Sequence, residues 1–144
     1  MAEASRVPFV DLKAQYRTIR EEVRAAMDGV LERTDFILGG AVGEFEAAFA
    51  AYCGTRFAVG VDSGLSALEL GLRALGIGPG DEVIVPGYTF LATATAVLLA
   101  GAVPVIAEIN ETLTLDPDDV ADKIGPHTRA VIPVHMVGIP SDMA

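Results

Sequence analysis

The sequence predicts an α/β fold in which a mostly parallel sheet carries helices on both faces. Three observations predict it. Short apolar runs recur along the chain at 57–61, 82–85, 103–107 and 129–134, and runs of that length, apolar at odd and even positions alike, suit strands buried on both sides. Helical patterns separate them, and strands alternating with helices call for parallel pairing through crossovers that are right-handed almost without exception. Glycine and proline mark the joints, at Gly76 to Asp81 and at Pro86-Gly87. A length of 144 residues suits one α/β domain, and a hydrophobic fraction of 51% suffices for a core.

Taken in order, residues 7–12 begin extended, because Pro8 disfavours helix at Val7. From Leu12, apolar residues at Tyr16, Ile19, Val23, Met27, Val30 and Leu31 follow helical spacing, with Asp11 as N-cap. Gly39-Gly40 marks a turn. Val42, Phe45, Phe49 and Tyr52 then define a second helix that stops at Gly54. A strand is expected at 57–61, followed by a helix over 63–75 with Leu68, Leu72 and Leu75 on one face. The strand at 82–85 is stopped by Pro86; a helix over 90–100 and a strand over 103–107 follow. Asp116 caps a helix with Pro117 in its first turn, and 129–134 is the last strand. The expected division is N-terminal helices over 1–54 and part of a larger domain over 55–144. The last residues follow a strand and turn, and Asp142 reads as the start of a further helix, so the domain is expected to be incomplete and its uncovered sheet edges prone to association.

Charge and composition exclude several classes. A net charge of -10 repels phosphate backbones and argues against nucleic-acid binding. The single cysteine, Cys53, can form neither an internal disulfide nor a cysteine-based metal site, and is expected to be a buried or half-buried structural thiol. No basic start with an apolar segment marks a signal peptide. The most apolar stretch, 90–106, is broken by Gly101 and Pro104 and falls short of a membrane span. A cytoplasmic protein is expected.

In open parallel sheets, ligands bind outside the carboxyl ends of the strands. Three such places carry chemistry. Val61-Asp62-Ser63-Gly64-Leu65-Ser66 leads from a strand into a helix, where free amides and the positive end of the helix dipole favour a phosphate. Gly64 lets an anion approach the backbone, and Ser63 and Ser66 offer hydroxyls. The plainer reading is a strand–helix turn with Ser63 as an ordinary N-cap. Neither a dinucleotide fingerprint nor a Walker loop is present. Next, an aromatic in Pro86-Gly87-Tyr88-Thr89-Phe90 can stack on a flat heteroaromatic ring, or simply pack over the strand end. Finally, His135 follows the last strand and can donate to a ligand or serve as a structural group. His127 reads as a surface loop residue. The two lysines, Lys13 and Lys123, fall at no strand end, whereas a Schiff-base lysine needs a desolvated place beside its cofactor.

Together these segments resemble the DegT/DnrJ/EryC1/StrS family of sugar aminotransferases that depend on pyridoxal 5'-phosphate (PLP). The resemblance runs from Val7 to Met143. Its marks include Val-Pro-Phe-Val-Asp-Leu at 7–12, Phe36-Ile37-Leu38-Gly39, Phe45-Glu46-Ala47-Ala48-Phe49, Ser63-Gly64, the run from Ala74 through Gly80-Asp81-Glu82 to Pro86, Thr89-Phe90, Gly101-Ala102 and Pro133-Val134-His135. It implies the large domain of a fold-type I aminotransferase, usually a homodimer. It implies a PLP phosphate on the backbone amides at Gly64 and Leu65, beside Ser63, and the Phe90 ring against the pyridine. His135 is carried as a further cofactor-binding candidate. The implied substrates are nucleotide-linked keto-sugars, with glutamate or glutamine as amino donor.

Two departures stand out. The family often reads Ser-Gly-Thr where this chain has Ser63-Gly64-Leu65, which removes a hydroxyl and weakens the expected phosphate affinity. The family's Schiff-base lysine and the Asp that pairs with the pyridine nitrogen match no residue here, so no transamination is expected of this chain alone. Two other readings stand beside the aminotransferase: a non-catalytic remnant that keeps a binding or dimerisation surface, and part of a related PLP sugar dehydratase.

Overall fold

A computed structural model describes residues 7–143. They fall into two compact units divided after Gly60.

Among its described residues the first unit holds two helices. In α1 (Leu12–Arg33) the Asp11 side chain accepts from the amide of Ala14 at 3.0 Å, the expected N-cap, and the helix ends at Thr34 in a left-handed conformation. Its apolar stripe is exposed, with Met27 and Leu31 more than half accessible. α2 (Gly40–Cys53) ends at Gly54, whose φ of 67° explains why glycine closes it. Only Ala50 is buried on α2. Cys53 is exposed rather than buried as expected, because it lies in the last turn of a helix whose apolar side chains are themselves mostly open.

The expected strand at 57–61 does not form. A strand needs a ladder partner, and among the described residues this segment has none. The segment's polar groups go elsewhere: Thr55 Oγ1 donates to the Phe57 carbonyl at 3.0 Å, and the Gly60 amide donates to Glu46 Oε1 at 2.7 Å.

The second unit is the α/β body. α3 (Gly64–Ala74) leads through a turn to β1 (Glu82–Pro86); α4 (Ala92–Ala100), β2 (Val103–Ala107), α5 (Pro117–Lys123) and β3 (Thr128–Val131) follow, then a single 3-10 turn at Met136–Gly138. The strands are parallel in the order β2-β1-β3, with Ile84 opposite Val105 on one side and Val131 on the other. Only β1 is buried along its length; Val103 and Ile106 of the edge strand β2 are about half exposed. β3 ends earlier than expected, although the Ile132 amide still donates to the Ile84 carbonyl at 2.9 Å.

Alternation along β1 sorts the core. Val83 and Val85 pack with Leu72 of α3, Ile77, Val97 and Ala100 of α4, Ala102, and partly buried Ala130 and Ile132. The two crossovers from β1 to β2 and from β2 to β3 run in opposite directions across the sheet, and right-handed crossovers then put α4 and α5 on opposite faces. The strand order reverses beside β1, which makes its carboxyl end the switch point. Asp116 caps α5 through a 3.0 Å bond from the Asp118 amide, with Pro117 opening the helix as the sequence predicts. Among the described residues no helix is long and apolar enough to cross a membrane.

Candidate functional site

At the opening of α3, Ser63 is extended and its Oγ accepts from the Ser66 amide at 3.2 Å. The Ser63 carbonyl accepts from Ala67 at 3.0 Å. Ser63 is therefore the N-cap, as the plainer reading had it, and its hydroxyl also pairs with that of Ser66 at 3.1 Å. Capping satisfies the later amides of the turn. Those of Gly64 and Leu65 have no protein acceptor among the described residues. A Cβ built on Gly64 would meet no atom within 4 Å. Two donors without a protein acceptor thus stand at the positive end of a helix, with open space beside the exposed Gly64, an arrangement that suits an anion.

Phe90 precedes α4, which starts at Ala92 rather than at Phe90 as the sequence suggested. Its carbonyl accepts from the Thr93 amide at 3.1 Å, and the hydroxyls of Thr89 and buried Thr93 lie 3.1 Å apart. The turn is fixed from within, while the Phe90 ring is 81% exposed. An exposed ring on an ordered turn is available to a ligand at no cost in core packing. Tyr88, half exposed, flanks it.

α3 enters β1 from its C-terminal end, and α4 leaves β1 from the strand's carboxyl end. Both helices therefore start at the carboxyl edge of the sheet. The Arg73 side chain, in the last turn of α3, donates through Nη2 to the Leu99 carbonyl near the end of α4. Counting back equally from Arg73 and Leu99 arrives at Gly64 and Phe90. The structure thus brings the two leading candidates to the same end of one helix pair. His135 follows β3, which runs parallel to β1, and so belongs to the same edge. It is exposed, and its Nδ1 accepts from the Ser141 amide at 3.0 Å.

Comparison with known proteins decides the family. The profile of the DegT/DnrJ/EryC1/StrS aminotransferase family matches residues 17–144. The chain belongs to this family. It is 54% identical, over 99% of its length, to a dTDP-3-amino-3,4,6-trideoxy-alpha-D-glucose transaminase of Streptomyces venezuelae, and covers 38% of that protein. It is 44% identical to a UDP-N-acetyl-3-dehydro-alpha-D-glucosamine 3-aminotransferase of Acidithiobacillus ferrooxidans, covering 99% of this chain and 39% of the relative. Among solved structures, NtdA from Bacillus subtilis with bound cofactor PMP superposes with a TM-score of 0.91 at 38% identity, covering 98% of this chain and 33% of that one. DesV of S. venezuelae gives a TM-score of 0.91 at 55% identity, covering 96% and 38%. The fold class expected from the sequence holds: an α/β portion of a fold-type I aminotransferase, with a small parallel sheet. The chain spans somewhat over a third of the length of these relatives.

Lys123 of this DegT-family chain does not stand at the carboxyl edge of the sheet. Lys123 is in the last turn of α5, next to the start of β3, and is held by Asp119 at 2.5 Å. Lys13 belongs to α1 in the other unit. Asp119 has a lowered pKa, first through the hydrogen bond from Lys123, then through the Glu108 amide, which donates to it at 2.6 Å, and through the Lys123 charge; partial burial opposes these. That cluster ties α5 to the end of β2 and is structural. An apolar groove of about 360 Å³ lined by Val120, Ile124, Val131 and Met143, among others, contains none of the candidate residues. Sequence reasoning missed Ser141, for which no local pattern exists, and the Thr89–Thr93 pair, for which helical spacing was a usable signal.

Proposed function

We propose that this chain supplies the phosphate cradle and the ring-stacking wall of a PLP-dependent aminotransferase acting on nucleotide-linked keto-sugars, with glutamate or glutamine as amino donor and a homodimer as the working form. The observation that carries the reading is the pair of amides at Gly64 and Leu65 without a protein acceptor among the described residues, beside open space at Gly64 and at the same helix-pair end as the exposed Phe90 ring. The phosphate would lie on those amides, and the pyridine ring would stack on Phe90. His135 would donate to an oxygen at the same edge. The names of the relatives, transaminases of dTDP- and UDP-linked sugars, support the substrate class.

PLP, when bound, supplies the electron sink for amino-group transfer. This chain's residues bind and orient. The amides neutralise phosphate charge, and the ring fixes the tilt of the pyridine plane. Leu65 contributes its amide alone, with no hydroxyl to add.

The test is titration of the purified chain with pyridoxamine phosphate, followed by its fluorescence. That form has no aldehyde to react with Lys13 or Lys123, so it reads non-covalent binding. Saturable binding, displaced by inorganic phosphate and weakened by Phe90→Ala, is expected. Binding indifferent to both, or no binding, overturns the reading.

A further inference from the structure

The chain beyond β3 holds a polar arrangement for which phosphate binding and ring stacking leave no role. Ser141 is 7% exposed and anchored twice: its amide donates to His135 Nδ1 at 3.0 Å, and its hydroxyl donates to the Val134 carbonyl at 3.2 Å. Between these anchors the chain makes one 3-10 turn, closed by bonds from Gly138 to the His135 carbonyl at 3.1 Å and from Ile139 to the Met136 carbonyl at 2.9 Å. Val137 in that turn is left-handed, with φ 49° and ψ 24°. A β-branched residue is rarely found there, so the loop is held in shape by its closure and not by local preference.

A neutral imidazole has one N–H and one lone pair. An amide that donates to Nδ1 requires the lone pair at Nδ1, which leaves the proton on Nε2. We propose that Ser141 is a positioning residue: its amide fixes His135 as the Nε2–H tautomer, so that the ring presents one N–H donor at the carboxyl edge of the sheet, on the side away from Ser141, to an oxygen acceptor of the bound ligand. The ligand part rests on the cofactor reading above; the tautomer does not. The Ser141 hydroxyl adds stiffness by holding the residue that precedes the histidine. The assignment gives His135 a defined direction of donation, which a freely rotating surface histidine lacks.

Nitrogen-15 NMR of the intact chain tests this without any substitution. At alkaline pH, where imidazole is neutral, His135 is expected to show a pyridine-like Nδ1 and a pyrrole-like Nε2, with scalar coupling across the hydrogen bond from the Ser141 amide to Nδ1. His127, exposed in the loop before β3, serves as the internal comparison with averaged tautomers. Ser141→Ala keeps the amide and should keep the tautomer; Ser141→Pro removes the donor and should bring His135 towards the His127 pattern. A pyrrole-like Nδ1 in the unaltered chain overturns the proposal. With pyridoxamine phosphate at saturation, the His135 Nε2 signal should move; a signal that stays still overturns the donor role. Failure of pyridoxamine phosphate to bind at all sinks the cofactor reading, while the coupling still reports on the tautomer.

Discussion

The side chain of Arg73 donates to the carbonyl of Leu99, so that α3 and α4 are tied at their C-terminal ends and open together at the other. Arg73 also pairs with Glu69 at 2.9 Å, one helical turn earlier. Its guanidinium is about half exposed, which screens both contacts. Arg73→Ala should therefore lower stability by only about 1 kcal/mol, seen as a fall of a few degrees in the thermal midpoint. The more telling readout is the ligand titration, because loosening this tie frees Gly64 and Phe90 to drift apart. An unchanged midpoint together with unchanged affinity would mean that the helix pair is aligned by Leu72 and Val97 packing alone.

Phe90→Ala separates ligand contact from folding. The ring is 81% exposed and belongs to no part of the core, so the thermal midpoint should hold within about 0.5 kcal/mol. Stacking contributes roughly 0.5–1.5 kcal/mol, hence a loss of roughly two- to tenfold in affinity for pyridoxamine phosphate. Phe90→Tyr should retain most of it. Equal affinity of the wild type and Phe90→Ala would remove the stacking role.

The parts of the fold that could be read from the residues were those set by local chemistry. Asp11, Ser63 and Asp116 each cap the helix expected of them, and β1 and β2 follow from apolar runs ended by turn residues. The run at 57–61 looks the same as those runs yet forms no strand, because pairing depends on a neighbour that local pattern cannot supply. For the same reason Cys53, on a correctly expected helix, turned out exposed: which face finds cover is a long-range property. Phe90 was legible as a strand-end residue, and Gly64 as the opening of a helix although the strand expected before it is absent; their alignment required the packing of α3 against α4. The bond from Ser141 to His135 was not legible, since it depends on a turn through left-handed Val137 that no residue preference anticipates.

Asp119 provides a prediction about pH. Its hydrogen bonds with Lys123 and the Glu108 amide lower its pKa below the ordinary 3.8. A carboxyl whose folded pKa is depressed adds stability above its unfolded value, and that contribution disappears as pH falls through the folded value. The stabilisation should be complete at neutral pH and be lost only below about 3.8. Asp119→Asn should lower the midpoint at pH 7 and narrow its difference from the wild type at pH 3. A difference between the two proteins that is constant over this range would show that Asp119 acts by shape and not by charge.

Gly64→Ala is the sharpest discriminator between a helix start and an anion site. The φ of Gly64 is not in the left-handed region, and an added Cβ meets no atom within 4 Å, so the fold has no need of glycine there. Alanine in a helical first turn should leave stability unchanged or raise it by about 0.5 kcal/mol, through the less flexible unfolded chain. A ligand seated on the Gly64 and Leu65 amides would instead meet a methyl group in the space it approaches through. The expected outcome is a split: an equal or higher thermal midpoint, with affinity for inorganic phosphate and pyridoxamine phosphate falling several-fold. If the variant melted higher and bound both ligands as well as the wild type, the open space at Gly64 would belong to solvent, and the α3 opening would be a capped helix with no anion to hold.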